Sequence, residues 1–182
     1  GMPVLDFPIS EDWHQLILYN DSELDQNFSV PISGNTAFGA LGLSANAEYY
    51  LYDFWNNKFL GKTAGNVSVL QTVVAGEARM ISVHKTEDFP QWISTNRHIM
   101  QGYVDLIGKP IWDEGSSQLS GISSVIAGEK YVLTIALNGY NPSSVYAKGV
   151  IVDIRVRKDN PQLAELSITS SKNQEVEWNI SF

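Results

Sequence analysis

Cysteine is absent from the 182 residues, which excludes disulfides, thiolate metal sites and a cysteine nucleophile. Charge is scarce. Asp, Glu, Lys and Arg make up 18% of the chain, too little for a long-helix protein with charged solvent faces. Basic residues are the scarcer kind, 12 Lys and Arg against 20 Asp and Glu. The resulting net charge of −8 repels phosphate backbones, so a nucleic-acid partner is not expected. No apolar run approaches the roughly 18 residues of a membrane-crossing helix, and no membrane span is expected. Histidine occurs only at His14, His84 and His98, far apart and without His-Glu-x-x-His spacing. No metal and no cofactor are therefore expected. The acidic stretches Asp113-Glu114-Gly115-Ser116 and Asn20-Asp21-Ser22-Glu23 have calcium-type oxygen ligands but read as ordinary turns.

What the chain does contain is apolar and aromatic: 43% hydrophobic residues, with 5 Trp, 8 Tyr and 7 Phe, enough for a continuous core. The dominant period is two, as side chains alternate across a strand. Val150, Val152, Ile154 and Val156 share one face of Tyr146–Arg157. Tyr131, Leu133, Ile135 and Leu137 share one face of Glu129–Leu137. Val176, Trp178 and Ile180 alternate with Glu175, Glu177 and Asn179 near the end.

Further strands are expected at Gln15–Tyr19, Phe28–Ile32, Ala37–Leu41, Glu48–Phe54, Val67–Leu70, Ala78–His84, Tyr103–Ile107, Ser117–Ile126 and Leu163–Thr169. Turn signals separate them, and Ala127-Gly128-Glu129 reads as a hairpin. Short helical turns are expected near Glu11–Gln15 and Phe89–Ile93, and a long loop over Asn138–Ser144. Regular βαβ alternation is absent. The expected fold is all-β, an antiparallel two-sheet β-sandwich spanning residues 1–182 as one domain. Its core would include Phe54, Trp55, Ile81, Val83, Tyr131, Leu133, Ile135, Val152, Ile154, Trp178 and Ile180.

Chemistry-bearing groups are few. Thr95-Asn96-Arg97-His98 with Gln101 packs polar side chains between apolar runs. His98 as a general base with Arg97 as an anion clamp is one reading. A structural polar corner formed by Asp53, Arg97, His98 and Gln101 is the preferred one, because no serine lies in a nucleophile elbow. Glycosidic hydrolysis needs two carboxyls about 5 to 9.5 Å apart, and linear sequence pairs none. No catalytic residue is assigned. Loop-proximal aromatics suit stacking against sugar rings: Trp13, Trp92, Trp112 and Tyr140 are the candidate carbohydrate-binding residues.

Several motifs recur in a fixed order: Asp53-Phe54-Trp55-Asn56 with Leu60-Gly61, then Ala78-Arg79-Met80-Ile81-Ser82-Val83-His84, then Thr95-Asn96-Arg97-His98-Ile99-Met100-Gln101-Gly102, then Leu119-Ser120-Gly121 and Glu129-Lys130-Tyr131. This set, over about residues 37 to 137, resembles the C-terminal β-sandwich of α-galactosidase-like (melibiase-related) bacterial glycoside hydrolases. The resemblance implies a non-catalytic accessory domain whose partner is the catalytic barrel of its parent chain. It implies structural roles for Asp53, Arg97 and His98 and supplies no catalytic residue. An independent carbohydrate-binding module, with carbohydrate as partner, is the alternative, and a complete small glycosidase the remote third. Gly1 before Met2 reads as a tag remnant, so the chain is expected to be a piece of a larger protein. A secreted or periplasmic location is expected if that parent carries an export signal; the residues themselves assign no compartment.

Overall fold

The computed structural model describes residues 3–182, and the expected tag remnant Gly1-Met2 lies outside them. Where one sandwich was expected, the chain divides into two compact units, one ending at Thr86 and the other running from Glu87 to Phe182. Each is an antiparallel two-sheet β-sandwich.

The first unit contains β1 (Val4–Ser10), β2 (Trp13–Tyr19), β3 (Gln26–Pro31), β4 (Glu48–Asp53), β5 (Lys58–Ala64), β6 (Ser68–Val73) and β7 (Ala78–Lys85). A five-stranded sheet in the order β1-β2-β7-β4-β5 faces the two-stranded sheet β3-β6. Alternation decides which side chains meet between them. Leu16 and Leu18 of β2, Tyr49 and Leu51 of β4, and Ile81 and Val83 of β7 point inward. They meet Phe28 and Val30 of β3 and Val69 and Val73 of β6. Leu41 and Leu43, from the loop after β3, complete this core.

The second unit contains β8 (Gln91–Thr95), β9 (Ile111–Asp113), β10 (Gln118–Val125), β11 (Lys130–Ala136), β12 (Ser144–Ala147), β13 (Ile151–Val156), β14 (Leu163–Thr169) and β15 (Gln174–Ser181). Its sheets have four strands each, ordered β12-β15-β10-β9 and β13-β14-β11-β8. Leu119 and Val125 of β10, Val176, Trp178 and Ile180 of β15, Tyr131, Leu133 and Ile135 of β11, and Leu166 and Ile168 of β14 are buried.

Several expectations give way, each for a local reason. Ala37–Leu41 is not a strand: a 3-10 turn over Thr36–Phe38 occupies it, with Asn35 capping the Ala37 amide at 2.9 Å. Tyr103–Ile107 is a run of turns attached to β10 by a single bridge, Leu106 to Ser123. Positive φ at Met100, Gln101 and Gly102 breaks the extended path before it. Phe89–Ile93 is not helical, because β8 begins at Gln91 and is buried along its whole length. Glu11–Gln15 holds the β1–β2 turn and the start of β2. Ala127-Gly128-Glu129 turns the chain but makes no hairpin, since β10 and β11 belong to different sheets. Trp55, expected in the core, sits in the β4–β5 turn at 61% exposure. Val152 and Ile154 are half-buried, because β13 is an edge strand. Trp178 is a core residue as expected.

Gly121 of β10 lies directly across from Trp178 of β15. A Cβ on Gly121 would overlap the indole ring. Gly121→Ala should therefore cost about 1–3 kcal/mol through overpacking. Gly115→Ala, whose Cβ would meet only Asp113 Oδ1 at 3.4 Å, should leave the melting temperature nearly unchanged. Thermal melts of the two variants check this pair, and equal melting temperatures would contradict it.

Candidate functional site

The residues singled out in the sequence are divided between the two units. Asp53 belongs to the first unit, where its carboxylate accepts from Asn56 N at 3.2 Å and Asn56 Nδ2 at 2.7 Å, with Arg79 Nε at 3.6 Å. Arg97, His98 and Gln101 belong to the second. Gln101 is fully buried and its Nε2 donates to Ser94 Oγ at 2.9 Å. Arg97 pairs with Glu129 and lies over the Tyr131 ring, 5.8 Å from its centroid. His98 is exposed to solvent. The expected corner is thus divided between the units, with Asp53 in the first and, in the second, Arg97 over Tyr131, a buried Gln101 and an exposed His98.

The candidate sugar-binding aromatics are divided likewise, Trp13 in the first unit and Trp92, Trp112 and Tyr140 in the second. Trp13 of β2 stacks on His84 with centroids 5.3 Å apart, and its Nε1 donates to Gln15 Oε1 at 2.9 Å. Trp92 is buried, with Gly102 packed against its ring. Trp112 and Tyr140 do come together, edge to face at 5.1 Å, within a cluster completed by Phe89 and Phe182. All four rings are half-buried and spend much of their surface on one another.

Inside the second sandwich a polar chain crosses from one sheet to the other. Trp178 Nε1 donates to Ser123 Oγ at 2.9 Å, Ser123 Oγ to the Tyr131 hydroxyl at 3.2 Å, and that hydroxyl to Asp105 Oδ2 at 2.8 Å. All four residues are buried. Burial pushes the Asp105 carboxyl above its ordinary value. The hydrogen bond from Tyr131, a further one from Thr95, a backbone contact and the Arg97 charge oppose that rise without reversing it. Burial and the neighbouring carboxyl raise the Tyr131 hydroxyl well above its ordinary value. The chain is buried away from solvent along its whole length.

On the outer face of the same sandwich lies an open groove of about 450 Å³, within the usual size of small-ligand sites. Sheet register builds it from two cross-strand rows. Tyr146 of β12 faces Asn179 of β15, Asn179 faces Ser120 of β10, and Ser120 faces Ile111 of β9. In the second row Glu177 faces Ile122, and Ile107 joins through its amide, which donates to Ile122 O at 2.9 Å. Lys148, directly after β12, and Lys109, between Ile107 and Ile111, close the two ends. Tyr146 is 64% exposed, and Ile111 and Ile107 are also open to solvent. The groove offers an aromatic face, an apolar wall, amide and hydroxyl groups and three charges. It contains one carboxylate, Glu177, where hydrolysis of a glycosidic bond requires two.

Sequence reasoning assigned Tyr146 to a long strand and missed the groove. The available signal was the Lys148-Gly149 turn, which splits that run into β12 and β13 and turns Tyr146 outward on a short edge strand. Among the described residues no group of three or more His, Asp or Glu side chains gathers as metal ligands would. Among them, too, no helix is long and apolar enough to cross a membrane.

The raised Asp105 pKa has a definite sign in stability. The folded chain holds that proton more tightly than the unfolded chain. The stabilisation is full below the ordinary carboxyl value and declines as pH rises through the folded value. Asp105→Asn lacks this titration. The stability of wild type minus that of Asp105→Asn should fall from about pH 3 to about pH 7 in denaturant titrations. A difference that stays constant or grows with pH would refute this account of Asp105.

No protein-family model matches the chain, and no curated protein matches it.

Proposed function

We propose that the chain is a non-catalytic accessory part of a glycoside hydrolase, and that the outer groove of its second sandwich holds saccharide. The observation that carries this reading is the solvent-open Tyr146 ring set beside polar side chains across the width of a sheet. A pyranose has an apolar C–H face and a polar rim. An exposed aromatic ring suits the first, and Asn179, Ser120 and Glu177 suit the second. The resemblance of the ordered motifs to the C-terminal sandwiches of melibiase-related enzymes supports the accessory role. The single carboxylate of the groove favours binding over turnover.

A second reading has one observation in its favour. Edge strand β1 leaves Val4, Leu5 and Phe7 exposed at 38%, 51% and 36%. Such a strand suits packing against the catalytic barrel of a parent chain, with no sugar involved.

Calorimetric titration of the full chain with a panel of neutral and acidic oligosaccharides separates the two. Saccharide binding predicts a measurable Kd for at least one member. Tyr146→Ala should weaken that Kd at least about tenfold while the melting temperature stays put, because the ring is mostly outside the core. Absence of affinity across the panel, or affinity indifferent to Tyr146→Ala, would remove the groove from the proposal and leave the packing role.

A further inference from the structure

We infer that the saccharide held by this groove is an acidic one, carrying uronate carboxylates, and that Lys109 and Lys148 recognise its charge; this rests on the saccharide-binding reading above. The molecule as a whole disfavours anions, with 20 acidic residues against 12 Lys and Arg. The groove inverts that balance, with two lysines and one glutamate. Lys148 is exposed and has no ion-pair partner among the described residues. Lys109 has only a long contact, 3.7 Å to Glu87 Oε1, and its side chain is 65% exposed. Both ammonium groups are therefore available to a ligand.

Their placement matters as much as their number. Lys148 follows the edge strand β12, and Lys109 lies beside the opposite edge strand β9. The full width of the four-stranded sheet separates the two lysine positions. Neighbouring strands lie about 4.8 Å apart, so this is roughly the reach of a short oligosaccharide. Alongside them, across the same width, runs a row with Tyr146 of β12 and Ile111 of β9 at its ends and Asn179 and Ser120 at its centre. A chain lying along that row would rest a ring on Tyr146 and present carboxylates at both ends. Glu177 would accept hydroxyl hydrogens and repel a carboxylate placed at the centre, which fixes where charge is tolerated.

The test compares uronate trisaccharides (galacturonate, glucuronate and mannuronate) with the same sugars after reduction of their carboxyls to primary alcohols. Titrations use the full chain. The acidic member of at least one pair should bind about five- to tenfold more tightly, the scale of two exposed ion pairs. Raising the salt concentration should erode that preference. Lys109→Gln with Lys148→Gln should abolish the preference while retaining affinity for the reduced sugar, and circular dichroism melts confirm that the variant is folded. Equal affinity for both members of every pair, or a preference that survives the lysine changes, would overturn this inference and leave the saccharide groove standing. No binding of any member, acidic or reduced, would overturn both.

Discussion

A buried carboxyl group anchors the second sandwich, and much of what surrounds it follows from satisfying that group. Indole can only donate a hydrogen bond, so the chain starts at Trp178 Nε1 and runs through Ser123 and the Tyr131 hydroxyl to Asp105 Oδ2. Ser123 and Trp178 belong to one sheet and Tyr131 to the other. The chain therefore links the layers with directed bonds, where apolar packing alone has no direction. Loss of any middle member strands a buried polar group, which costs more than the bond itself contributes.

This constraint reaches the surface through register. Slipping β10 by one residue against β15 would turn Ser123 away from Tyr131 and bring a side chain into the space that Gly121 leaves for Trp178. The inner face thus holds the pairing in place, and the outer face inherits the alignment. Tyr146, Asn179, Ser120 and Ile111 stand in a row because Trp178, Gly121, Leu119 and their neighbours cannot shift. A surface built this way is rigid without any contact of its own to make it so, and rigidity lowers the entropic cost of holding a ligand.

Legibility in the sequence divides along physical lines. A strand with one buried and one more open face announced itself by alternation: β15, with Val176, Trp178 and Ile180 inward and Glu175 and Glu177 exposed. β11 was legible from Tyr131, Leu133 and Ile135, although Thr134 and Ala136 on its other face are buried too. β14 ends at Leu163 and Thr169 as expected. Strands buried on both faces, such as β8, have no alternation to read. Edge strands broken by Pro8 or Gly61, and the three-residue β9, fall below the signal that propensity provides. The division into two units at Thr86 and Glu87 falls where no Gly/Pro-rich linker marks it. The candidate site was harder still. Trp and Tyr residues were visible as chemistry, but their exposure depends on pairing partners distant in sequence. Trp112 and Tyr140 were drawn into a shared cluster with Phe182, while Tyr146 was left open.

An open groove with one exposed ring and a few polar groups cannot bind a flexible sugar tightly. Little of the ligand would be enclosed, and each contact competes with water. Free in solution, such a site would spend most of its time empty at modest sugar concentrations. Tethered to a catalytic domain that holds the same polymer, it would act at the high effective concentration of an intramolecular partner, where weak affinity is enough to retain substrate between encounters. Weak binding would also release the polymer as it shortens, which a tight site would not. The shallow geometry of this groove thus fits the accessory role proposed above, whereas a receptor acting alone would have to enclose more of its ligand.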